Sequence, residues 1–102
     1  MNVYKVTLSI IIGEYEKTTT TFVRASCFKL ANDYAIYLES HTPEKLDWSE
    51  DKFVLDLYGE FAYQASAEKV KHSDIGTLDR YFPIYRCDKT KLINSGNYAS
   101  SQ

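Results

Sequence analysis

The chain predicts an α+β fold, an antiparallel β-sheet with one main helix packed on one face and a short C-terminal helix. Three observations carry this. From Tyr4 to Ile12 the even positions are Tyr, Val, Leu, Ile and Ile, with Lys5, Thr7 and Ser9 between them. That period of two marks a strand with one buried face. Gly13 breaks the pattern and leads into a second strand-like run. From Ser26 the apolar residues change to helical spacing, so the helix packs its stripe across the hairpin.

The first strand is expected over Asn2–Ile12. Gly13-Glu14-Tyr15-Glu16-Lys17 is the turn, where glycine supplies backbone angles that other residues avoid. The second strand is expected over Thr18–Ala25. It opens with four consecutive threonines, whose β-branching favours extended backbone and whose hydroxyls suit a solvated face or a sheet edge. An edge of that kind can accept another strand. Ser26 is a good N-cap, and Cys27, Leu30, Ala31, Tyr34 and Leu38 form the apolar stripe of the helix. Thr42-Pro43 ends the helix.

Residues 43–52 read as a loop, with Trp48 set among charges. A tryptophan there either plugs the core from the loop or anchors a partner, and the plug is the favoured reading. Across 53–70, Phe53, Leu55 and Leu57 alternate, as do Phe61, Tyr63 and Ala65 after Tyr58-Gly59. Leu55, Tyr58, Ala62 and Ala65 also fit helical spacing, but the aromatics and Gly59 favour a second hairpin. Ser73 can cap a short helix through Phe82 that buries Ile75, Leu78, Tyr81 and Phe82, despite Gly76, and Pro83 stops it. The single domain is expected over 1–93, with 94–102 a frayed polar tail.

At 102 residues, 44% hydrophobic and 25% charged, this is one globular domain rather than a disordered chain. Net charge is only −2, but it is unevenly placed: residues 39–60 carry seven acidic and two basic side chains. The middle of the chain is an acidic belt flanked by mildly basic ends. No apolar run approaches the ~18 residues of a membrane span. The start has no signal-peptide pattern. Two cysteines are too few for a disulfide scaffold. A cytoplasmic protein with reduced thiols and no membrane contact is expected.

Motifs for phosphate cradling, nucleophile elbows, zinc helices and calcium loops are missing. Cys27, His41, His72 and Cys87 are the only metal-type set, and none has the close neighbour that zinc sites use, so neither metal nor cofactor is expected. Glu14/Glu16, Glu50/Asp51 and Asp56/Glu60 are carboxylate pairs, read as solvated charge rather than acid–base machinery. No catalytic residue is assigned. Lys69, Lys71, Arg80, Arg86, Lys89 and Lys91, with Tyr81, Tyr85 and Tyr98, form the best nucleic-acid candidate, but Glu68, Asp74, Asp79 and Asp88 interrupt it.

At 10–16 the run Ile-Ile-Ile-Gly-Glu-Tyr-Glu leads from a first strand into a polar second strand and then a short capped helix. In that layout the first 40 or so residues resemble small accessory proteins of phages and prophages, among them anti-CRISPR inhibitors of host defence. The resemblance implies a stoichiometric blocker acting in the host cytoplasm, some of whose kind mimic nucleic acid with an acidic face. No functional residue is carried over from it.

The expectation is therefore a non-enzymatic protein-binding module. Its contact set is Glu44, Asp47, Glu50, Asp51 and Asp56, with Trp48 and Tyr15 as aromatic anchors. The expected partner is a host protein or protein–nucleic-acid complex with a basic surface. Alternatives are a small nucleic-acid-binding protein using residues 69–91, or assembly by strand addition at the threonine strand, a homodimer included.

Overall fold

The computed structural model describes the backbone of residues 1–101 and the side chains of residues 1–99. Five strands form one mixed sheet: β1 (Asn2–Ile12), β2 (Tyr15–Ala25), β3 (Val54–Asp56), β4 (Phe61–Lys69) and β5 (Ile84–Arg86), in the order β3-β4-β1-β2-β5. Three helices join them: α1 (Phe28–Glu39), α2 (His72–Tyr81) and α3 (Lys89–Ile93). All pairings are antiparallel except β2 with β5, which is parallel.

β1 is the central strand because it is apolar on one face throughout. Tyr4, Val6, Leu8 and Ile10 are buried against α1, whose Ala31, Tyr34 and Ala35 meet them. Each fully buried aliphatic side chain here contributes roughly 1.5–3 kcal/mol. The hairpin is tighter than its sequence suggests. Ile12 pairs directly with Tyr15, and of the two turn residues only Gly13 has a positive φ, +59°. This is the II′ pattern, whose twist matches that of the strands. Tyr15, Glu16 and Lys17 therefore belong to β2 rather than to the turn.

The helix starts one residue later than expected. Cys27, not Ser26, is the N-cap, and no side chain caps it. Of the predicted stripe, Ala31 and Tyr34 are buried and Leu30 is half-buried, while Cys27 is exposed and Leu38 retains 37% of its surface. Burial is confined to the middle of α1, from Ala31 to Ile36.

Residues 53–70 form strands, β3 and β4, as the aromatic alternation suggests. β4 and β5 run in the same direction, and α2 carries the chain between them across β1 and β2. It lies on the face away from α1. Val3 points to that face and is fully buried. Phe22, on the same face, meets Phe82 at 5.4 Å between ring centroids. α2 covers only this lower end of the face. Consequently none of its residues is buried, and Tyr81 and Phe82, expected inside, are 73% and 50% exposed.

The expected tail from Asn94 is instead packed as far as Tyr98. Asp88 caps α3 by accepting from the amides of Thr90 and Lys91. Leu92, Ser95 and Tyr98 are then buried against α1 and the 46–48 loop. Gln102 lies outside the described residues. No described helix is long and apolar enough to cross a membrane.

Candidate binding surface

The acidic belt is built on two hydrogen-bond networks, the first of them buried. The first centres on Asp56, which is 1% exposed. Its Oδ2 accepts from the His41 amide at 2.8 Å and the Tyr63 hydroxyl at 2.8 Å. Its Oδ1 accepts from the Leu57 amide at 2.9 Å and from the Thr42 hydroxyl. Burial works against the charge, but the four donors outweigh it and hold the carboxyl below its ordinary range. Burial first, and then the bond to Asp56, push the Tyr63 hydroxyl well above its usual value. Asp56 thus leaves the contact set: it ties the end of α1 to β3 and β4.

The second network holds the 46–49 loop. Asp47 Oδ1 accepts from the Ser49 hydroxyl at 2.6 Å, the Ser49 amide at 3.0 Å and Asn97 Nδ2 at 3.0 Å. The Ser49 hydroxyl, then its amide, then Asn97 draw the Asp47 carboxyl below its ordinary range. The Trp48 amide donates to Asn97 Oδ1 at 2.7 Å, and its indole Nε1 donates to the Ser95 carbonyl at 3.1 Å. The indole stands edge-on to Tyr98, with centroids 4.8 Å apart. Trp48 is 8% exposed, so it plugs the core from the loop and offers no anchor to a partner.

Above these networks the surface is acidic. Glu44, Glu50 and Asp51 are exposed on the loop, and the Asp47–Leu55 bridge fastens that loop alongside β3. Next to it lies the turn Leu57-Tyr58-Gly59, where three successive residues have positive φ: +51°, +57° and +90°. For Leu and Tyr that conformation is strained by about 1–2 kcal/mol each. Tyr58 stands 94% exposed at its apex, with exposed Glu60 beyond it and Lys45 Nζ 5.9 Å from its ring centroid. Thr42, Lys45, Asp47, Leu55, Leu57, Tyr58 and Gly59 line a cleft of about 500 Å³ between turn and loop.

Sequence reasoning missed Tyr58. The available signal was Tyr58-Gly59 between two alternating runs, which marks a tight turn but not which residue it presents. Tyr15 is 81% exposed but sits on β2, three strands from β3, or roughly 15 Å away. The structure does not bring it to the acidic loop.

Other candidate groups are scattered. Cys27 is exposed, and Cys87 is half-buried with its thiol pushed up by burial. Among the described residues no three of His, Cys, Asp and Glu gather where they could hold a metal ion. Lys69 and Lys71 line a cleft with Lys5, but Glu68 and Asp74 line it too. No family model matches the chain, and no curated protein or solved structure matches it.

Proposed function

We propose that this protein is a non-enzymatic binding module that engages the basic surface of a partner protein through the 43–60 region. The observation that carries this reading is Tyr58, presented almost fully exposed on a strained turn and followed by exposed Glu60, with Glu44, Glu50 and Asp51 exposed elsewhere in the 43–60 region. Tyrosine is among the residues that concentrate binding energy at interfaces. Strain kept at an exposed site points to function, because folding alone gains nothing from it. The supports beneath, Asp56 and Trp48, limit the ordering cost of association. A partner whose basic surface handles nucleic acid, such as a host defence complex, fits the sign of this charge, and the module would act as a stoichiometric blocker.

The test is a pull-down from host lysate at two salt concentrations, run with the wild type, Tyr58→Ala and the triple variant Glu44→Lys, Glu50→Lys, Asp51→Lys. One stoichiometric protein, captured less well at high salt and lost from both variants, supports the reading. With the partner in hand, the triple variant should associate more slowly and with less salt dependence. Undiminished capture by the folded triple variant overturns the acidic surface, and recovery of nucleic acid alone moves the function to residues 69–91.

A further inference from the structure

We propose that two copies of this chain join through the free edge of β2, pairing antiparallel about a twofold axis at Thr18 to make one ten-stranded sheet. β5 pairs with β2 only at Phe22, Val23 and Arg24, and Pro83 precedes it, so this partner strand ends there. Among the described residues nothing else pairs with the outer edge, and the register puts Pro83 beside Thr21, which leaves residues 15–20 open. The Arg24 carbonyl accepts from the Cys87 amide on the outer side. By the two-residue period of a strand, the amides and carbonyls of Thr20, Thr18 and Glu16 face the same way.

Thr18 is the middle one of these three outward-facing residues. An antiparallel twofold there sets Thr18 against Thr18 and Glu16 against Thr20 of the second copy, all in hydrogen-bonded positions. Lys17 then faces Thr19, and Tyr15 lies at the end of the paired stretch. No like charges lie directly opposite, which is the condition such a pairing must meet.

Two features of this edge fit the register. Tyr15 is 81% exposed at one end of the edge. At the other end a cleft of about 280 Å³ is lined by Thr20, Thr21, Leu38, Glu39, Phe82 and Tyr85, among others. Leu38 and Tyr85 are 37% and 44% exposed there. The register brings each copy's Tyr15 toward the Pro83 side of this cleft in the other copy, so the edge is self-complementary at both ends.

The experiment is sedimentation equilibrium of the full chain over a range of concentrations, with circular dichroism to confirm that each variant is folded. The wild type should form a species of twice the 11.8 kDa chain mass. Thr18→Pro removes an outward amide without touching the β1–β2 ladder and should give a monomer. Thr18→Lys and Thr18→Glu each set like charges across the axis and should each be monomeric, while their equimolar mixture should recover the dimer. Tyr15→Ala should weaken association at least tenfold. A wild type that stays monomeric at millimolar concentration overturns the proposal. So does a dimer that Thr18→Pro and Thr18→Lys leave intact, since it would use another surface. The partner surface at 43–60 lies on the far side of the sheet, so partner capture by Thr18→Pro reports on that reading separately.

Discussion

Gly96 lies directly against the backbone of Leu46. A Cβ built on Gly96 would stand 1.8 Å from the Leu46 carbonyl oxygen, and φ at this glycine is +53°. Beside this contact the Asn97 amide donates a hydrogen bond to the same carbonyl at 3.2 Å. Gly96→Ala therefore meets fixed backbone rather than a movable side chain, in a conformation that alanine resists. We expect a loss of about 3 kcal/mol or more, read as a lower denaturant midpoint with an unchanged slope. A loss under about 0.5 kcal/mol would show that the 94–98 segment is not docked in solution.

The same docking can be read optically, because Trp48 is the only tryptophan. Ser95 and Tyr98 form one wall of its site. A chain ending at Ile93 should show tryptophan emission shifted to the red and should lose about 3 kcal/mol, the scale of unpacking a large aromatic. Unshifted emission in the shortened chain would contradict the packing.

Range in the chain decides how much of this was legible. The N-terminal hairpin and α1 could be read because β1 carries its period of two from Tyr4 to Ile10 and local rules govern the tight turn and the helix after it. Trp48 as a plug was legible for a similar reason, since a tryptophan in a charged loop needs a buried home. Asp56 was not. Nothing in the run Leu55-Asp56-Leu57 says that His41, Thr42 and Tyr63 converge on its carboxylate, because those partners arrive from distant parts of the chain. Ser95 and Tyr98 were hidden by polar neighbours in a stretch whose composition reads as tail. The exposure of α2 was invisible because its apolar spacing is sound. What it lacks is a full surface to cover.

The buried pair Asp56 and Tyr63 sets the pH limits. Each oxygen of Asp56 accepts one backbone amide, Leu57 on Oδ1 and His41 on Oδ2. In Asp56→Asn, either orientation of the amide sets an NH2 group against a backbone N–H, so we expect a loss of about 3 kcal/mol. Tyr63→Phe removes one donor of four and should cost about 1.5 kcal/mol.

The pH dependence has a definite sign. The Asp56 pKa is lowered on folding, so its contribution is complete above the ordinary value of 3.8 and fades as pH falls through the lower folded value. The Tyr63 pKa is raised, so its contribution is complete below the ordinary value of 10.0 and fades as pH rises beyond it. Chemical denaturation across pH should give a plateau with an acid limb, which Asp56→Asn flattens, and an alkaline limb, which Tyr63→Phe flattens. Asp47 adds a shallow acid contribution, since its carboxyl is also lowered but sits near solvent, where such bonds count for less. An acid limb equally steep in Asp56→Asn would place its origin elsewhere.

Tyr58 separates stability from binding. Its φ of +57° suits glycine, and its ring touches little beyond Lys45, whose Nζ is 5.9 Å from the centroid. Tyr58→Gly relieves the left-handed strain, about 1–2 kcal/mol, against the entropy that glycine loses on folding, about 0.5–1 kcal/mol. The net effect should be a gain of about 0.5 kcal/mol, or a Tm higher by a few degrees. If Tyr58 is the anchor of the partner surface, the same variant should lose about 2 kcal/mol of binding, the scale of a buried aromatic hot spot. A residue that served only the fold could not produce that opposition, because its removal would lower stability and drag binding down with it. Thermal melts and titration of the captured partner with the one variant therefore decide whether the strained turn exists for the fold or for the partner.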